Sequence, residues 1–144
     1  MSPHTPDYWQ KMNNPVIESF RANGGRVRRR TLPLILLTTI GAKSGKPHTT
    51  PLNFTTDLDR LVVIASKGGS ATHPSWYHNL VAHPEVTIEL GTETFRARAV
   101  PAEEPERTRL FDQQAAQMPF FDSYRKRVTA RDIPVVVFER VRDY

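Results

Sequence analysis

The apolar positions of this chain change period several times, and each change marks an element. Across residues 6–22, Tyr8, Met12, Ile17 and Phe20 recur at helical spacing and form one stripe. Pro15 falls inside that helix and is expected to interrupt it, because proline lacks the N–H donor and crowds the preceding turn. Asn23-Gly24-Gly25 carries the residues that end helices. Beyond it the period shortens. Strands are expected at 34–39, 49–55 and 61–66, the last apolar throughout and so buried. Turns at 41–47 and 57–60 separate them. Pro51 places the second strand at an edge or bulge. Pro74 suits the first position of a helix running to about residue 82. Segments 86–90 and 93–100 flank Gly91 as a hairpin. Pro101 opens a polar helix to about residue 117. Segment 120–128 reads as a short helix or an ordered loop, and 133–140 as a final strand.

Six strands with tight connections favour antiparallel pairing, since parallel neighbours need long crossovers. The expected class is α+β, mainly β: a six-stranded antiparallel Greek-key barrel with flanking helices. Along the chain this gives an N-terminal helix and basic segment at 1–30 and a barrel domain at 31–144.

Composition changes the picture in two ways. The 144 residues contain no cysteine, which excludes disulfides, a thiol nucleophile and a thiolate metal site. The formal net charge is +5, concentrated at Arg26, Arg28, Arg29 and Arg30. Such a run serves as a solvated loop, as a contact for an anionic membrane surface or as a nucleic-acid patch. The longest apolar run, 32–37, is too short to cross a bilayer, and the first residues lack the apolar core of a signal peptide. A cytoplasmic protein is expected, with peripheral attachment at the inner face of the cell membrane as one use of the arginines.

Candidate chemistry gathers between Thr38 and Asn79. Gly41-Ala-Lys43-Ser44-Gly45-Lys46 superficially suggests a P-loop, but three residues separate the glycines and Pro47 follows the lysine. A nucleoside triphosphatase is rejected. The turn is either a plain β-turn or, with Lys43, Lys46 and the Ser66-Lys67-Gly68-Gly69 loop, an anion clamp. No Gly-x-Ser-x-Gly surrounds Ser66, so a nucleophile elbow is not expected. His73, His78 and His83 are five apart, off helical ligand spacing, and no metal is expected. Trp76 and Tyr77 serve either as core or as a wall against a flat ring. Phe120, Phe121 and Tyr124 are core or the lining of an apolar pocket.

The segments T-T-I-G-A-K-S-G-K-P, P-L-N-F, A-S-K-G-G and P-S-W-Y-H-N-L, with the hairpin and the closing D-I-P-V-V-V, resemble the deazaflavin-dependent nitroreductases and quinone reductases of actinobacteria. The resemblance covers about 34–138. It implies a split β-barrel of the FMN-binding type that binds coenzyme F420, a deazaflavin with an anionic tail. It also implies that the reduced cofactor gives a hydride to a quinone, nitroaromatic or activated enone. Carried over, Lys43 and Ser44 match the turn at the phosphate end. Ala65, Ser66 and Lys67 match the loop beside phosphate and ring, with Ser66 near the reacting centre. Ser75, Trp76, Tyr77 and Asn79 match the helix start that covers the ring, and Thr49, Thr50, Pro51 and Leu52 the strand beneath it. Phe121 and Tyr124 fall near substrate. His48 stands where the best-studied type has arginine, and Asn53 and Phe121 where it has tyrosines. A homodimer is common on this fold. The alternatives are an FMN enzyme on the same barrel and a non-catalytic deazaflavin or nucleic-acid binder, though no nucleic acid is expected as partner.

Overall fold

A computed structural model describes residues 6–27, 30–67, 72–128 and 132–141, and among them the side chains from Gln10 onward. Seven strands build one curled antiparallel sheet: β1 (Leu34–Ile40), β2 (Pro47–Asn53), β3 (Thr55–Asp57), β4 (Arg60–Ile64), β5 (Glu85–Leu90), β6 (Glu93–Pro101) and β7 (Val135–Arg140). Their order across the sheet is β2-β1-β5-β6-β7-β4-β3. Four helices accompany them: α1 (Pro6–Ala22), α2 (Ser75–Ala82), α3 (Glu106–Gln117) and α4 (Phe120–Arg127).

Strand alternation sorts the apolar residues into an inner and an outer set. Ile35, Leu37, Val63, Ile88, Ala97 and Val136 point inward and pack with Trp76 and Leu80 of α2. On the outer side, Leu34 and Leu36 meet Ile17 and Phe20 of α1. Val62, Ile64, Val135 and Val137 meet α3 and α4 through Leu110, Phe111, Met118 and Phe121. Runs such as Leu34–Leu37 are continuously apolar because both faces of these strands are covered.

The antiparallel sheet and its flanking helices match the expected class, with seven strands in place of six. The difference lies at Phe54. The expected strand 49–55 begins earlier, at Pro47, and breaks after Asn53, and Thr55–Asp57 pairs instead with β4. Pro15 does not interrupt α1, which runs unbroken to Ala22. Its Gly24 and Gly25 sit at positive φ, 63° and 93°, and the Gly25 N–H returns to the Phe20 carbonyl at 2.8 Å. α3 starts at Glu106 rather than near Pro101, because Pro101 still belongs to β6, opposite Val136. Segment 120–127 is a helix.

β2 pairs only with β1, and β4 meets β3 only through Arg60–Val62, among the described residues. Phe54 alone joins β2 to β3. Among the described residues the outer edges of β2 and of β4 beyond Val62 therefore have no strand partner, and this gap in the pairing of the curled sheet is the notch.

Candidate functional site

One lip of the notch is the β1–β2 turn with β2. The Gly41 N–H donates to the Lys46 carbonyl at 2.8 Å and the Gly45 N–H to the Gly41 carbonyl at 3.0 Å. Gly45 takes the left-handed conformation, φ +69°, that closes this turn. The Lys46 N–H donates to Ser44 Oγ at 3.2 Å, and Ser44 Oγ lies 3.5 Å from His48 Nε2. A Cβ on the buried Gly41 would sit 2.3 Å from Ser44 Oγ and 3.1 Å from His48 Nε2. Both side chains thus lie over the glycine backbone, while Lys43 and Lys46 stand exposed.

Register divides β2. His48, Thr50 and Leu52 oppose Thr39, Leu37 and Ile35 and share the inner face. Thr49 and Pro51 oppose Thr38 and Leu36, which face α1, and Thr49 Oγ1 shares a 2.7 Å hydrogen bond with Thr38 Oγ1. Asn53 falls on that outer side too, and its amide donates to the Pro33 carbonyl at 3.2 Å.

The other lip is the end of β4. The Ala65 N–H donates to the Pro134 carbonyl at 2.9 Å, and both Ala65 and Ser66 are buried. Lys67 sits at φ +49°, a conformation disfavoured for a side-chain-bearing residue, and its Nζ donates to Thr72 Oγ1 at 3.2 Å. Gly68 and Gly69 lie outside the described residues.

Helix α2 packs inside the curl. Trp76, Asn79 and Leu80, three and four residues apart, form its buried face. Tyr77 is half-buried, with its ring centroid 4.9 Å from that of His73, and Ser75 is exposed. Asn79 links the helix to the first lip: its Oδ1 accepts from the Ala42 N–H at 3.0 Å and its Nδ2 donates to Thr39 Oγ1 at 3.1 Å.

Direct contacts thus link Ser44 with His48, tie Asn79 to the same turn, and place Ala65 and Trp76 in the inner core cluster with Leu52 and Tyr77 packed against it. The structure does not bring Phe121 and Tyr124 to this cluster. Their rings meet edge to face at 5.9 Å on the outer side of the sheet, Phe121 buried with Phe111 and Met118. Of the arginine run, Arg26 and Arg30 are exposed, and Arg28 and Arg29 lie outside the described residues. Phe54, half-buried against the inner core at the strand break, was not singled out from sequence. Its only signal there is the slip in alternation after Asn53.

Residues 31–56 and 61–84 contain no aspartate or glutamate. The notch is thus built wholly from cationic and neutral side chains, which suits an anionic ligand. No cluster of three potential metal ligands occurs among the described residues, and no helix there is long and apolar enough to cross a membrane.

The sequence model of the F420H(2)-dependent quinone reductase family matches residues 9–140. An F420H(2)-dependent quinone reductase of Mycobacterium tuberculosis (strain H37Rv) is 39% identical over 129 residues, which span 84% of this chain and 85% of that protein. Among solved structures, an F420-H2 dependent reductase superposes with a TM-score of 0.69 at 34% identity, covering 79% of this chain and all of the other. A structure described as a domain-swapped dimer gives a TM-score of 0.70 at 32% identity, over 94% of this chain and all of the other.

Proposed function

The chain belongs to the F420H(2)-dependent quinone reductase family, whose cofactor is coenzyme F420, and from that premise we propose that its notch holds reduced F420 and delivers a hydride to a small quinone-type acceptor. The observation that carries this reading is the acid-free opening between two free strand edges, with Lys43 and Lys46 on one lip and Lys67 on the other.

The residues present fit the cofactor. Its tail is strongly anionic, and the lysines supply charge-assisted donors for it. Gly41 lets Ser44 and His48 pass close over the backbone, which holds both polar side chains at the turn that carries Lys43. Trp76 and Tyr77 offer a flat, largely apolar wall for a ring system. When bound, reduced F420 supplies the hydride. The protein binds, orients and shields. With F420 bound, Lys43 and Lys67 would hold the anionic end, Ser66 would stand beside the reacting centre, and the inner-face apolar side chains Leu52 and Trp76 would exclude water. No side chain has to form a covalent bond to substrate.

A homodimer belongs to this reading as well, supported by the domain-swapped relative. So does a peripheral membrane contact through Arg26 and Arg30, testable by liposome flotation. The central experiment titrates the purified protein with F420 and separately with FMN, following cofactor fluorescence. Micromolar binding of F420 with weaker FMN binding is expected, followed by F420H2-dependent turnover of quinones. Preferential FMN binding would overturn the assignment.

A further inference from the structure

Asn79 matches a residue that, by resemblance, belongs to the cover of the cofactor ring. Its surroundings give it another task. The side chain is 8% exposed, and both ends of its amide are engaged by the protein. The Ala42 N–H can only donate, so the atom it meets at 3.0 Å must be the amide oxygen. The nitrogen is thereby aimed at the hydroxyl of Thr39, which is fully buried. The two partners flank the start of the Gly41–Lys46 turn that carries Lys43 and Ser44. Thr39 is also the cross-strand neighbour of His48. On the helix side, Trp76 lies one turn earlier on the same buried face.

We propose that Asn79 is a positioning residue: it pins the cationic turn to the aromatic helix and so fixes the spacing between the site's charged and ring-facing walls. The turn's internal hydrogen bonds, Gly41 to Lys46 and Gly45 to Gly41, shape it without anchoring it to α2. Without Asn79, the Ala42 N–H and the buried Thr39 hydroxyl lose their partner, and the turn relaxes to recover them from water. The inference rests on the F420-binding reading for its functional consequence, but not for its structural one.

The test compares wild type with Asn79→Leu, which keeps the branching and heavy-atom count and removes both hydrogen bonds, with Thr39→Val, which removes one, and with the double variant. Leu110→Ala, in the outer core under α3, serves as the stability control. At a temperature where all are folded, Asn79→Leu is expected to raise the F420 dissociation constant about tenfold and Thr39→Val by less. The double variant should bind no worse than Asn79→Leu alone, because the two residues share one connection. Leu110→Ala should leave the constant unchanged. Amide exchange at Ala42 in the protein without cofactor should quicken by at least about tenfold in Asn79→Leu, while the inner strands keep their protection. Wild-type exchange at Ala42 in that variant, or an equal loss of affinity in Leu110→Ala, would overturn the proposal. If wild type fails to bind F420, the functional reading fails, and exchange at Ala42 alone decides the role of Asn79. Should Asn79→Leu not fold, the same exchange measurement on Asn79→Ala, which also removes the acceptor of the Ala42 N–H, carries the decision.

Discussion

The outer layer under α3 and α4 and the notch on the inner side are both rich in cations, and they treat them in opposite ways. In the outer layer Arg60, Arg109 and Arg125 are each matched by carboxylates. Arg60 reaches Asp57 at 2.6 Å and Glu106 at 3.1 Å. Arg109 grips both oxygens of Asp57, at 3.2 and 3.1 Å. Arg125 bridges Asp112 and Asp122 and lays its guanidinium 4.6 Å from the centre of the Phe111 ring. In the notch, Lys43, Lys46 and Lys67 have no acidic partner among the described residues, and Lys67 donates to the Thr72 hydroxyl. Planar arginines suit fixed carboxylate pairs, whereas a lysine is a mobile point charge. The matched set ties the outer elements together, while the unmatched set, in the proposed reading, keeps its field for the anionic cofactor.

The largest effect that tests this separation is on stability. Phe111 is 1% exposed in the outer cluster, and Phe111→Ala is expected to cost about 3–5 kcal/mol in denaturant unfolding. Its F420 dissociation constant, measured where the variant is still folded, should equal that of wild type. A weakened constant would mean that the two layers are not separable.

The same division governs what could be seen in the sequence. Alternation and turn residues gave the antiparallel sheet, because each strand buries a face and period two survives in Glu85–Leu90 and Glu93–Pro101. The break at Phe54 left only a slip in alternation after Asn53, and the pairing of Thr55–Asp57 with β4 decides it. Pro15 misled because α1 takes its stability from Ile17 and Phe20 on β1, which outweighs a local defect. In the site, the lysines and small residues were legible as a pattern. The division of Thr49 and Pro51 from His48, Thr50 and Leu52 needed the register. The link from Asn79 to Ala42 spans 37 positions and left no local trace. Phe121 and Tyr124 could not be told from core by spacing, and the structure sets them in the outer cluster.

A middle-sized effect sharpens the comparison from the notch. Lys67→Ala is expected to weaken F420 binding more than about tenfold, through loss of a charge-assisted contact. Lys67 pays for a positive φ, so Lys67→Gly removes the charge while relaxing the backbone. Equal loss of affinity in both variants, with the glycine variant at least as thermally stable as the alanine one, assigns the effect to charge. An unchanged dissociation constant in either would sink the role of Lys67.

The smallest expected effect is the response to acid, and it belongs to the outer layer alone. Hydrogen bonds from Arg109 and then Arg60 hold the Asp57 carboxyl below its ordinary range, and Arg125 does the same for Asp122. A carboxylate whose folded pKa is depressed contributes stability that is fully present above its unfolded value of about 3.9. That contribution disappears as pH falls through the lower folded value. Melting temperature should therefore hold from neutrality to about pH 5 and decline below about pH 4. Asp57→Asn should melt lower than wild type at neutral pH, because Arg60 and Arg109 lose a charged partner, and should lose less on acidification. The acid-free residues around the notch add nothing to this decline, so it should appear unchanged in Lys67→Ala. A Lys67→Ala protein with a flattened acid limb would show that the notch lysine feels the outer carboxylates after all, and the contrast between matched and unmatched charge would fail.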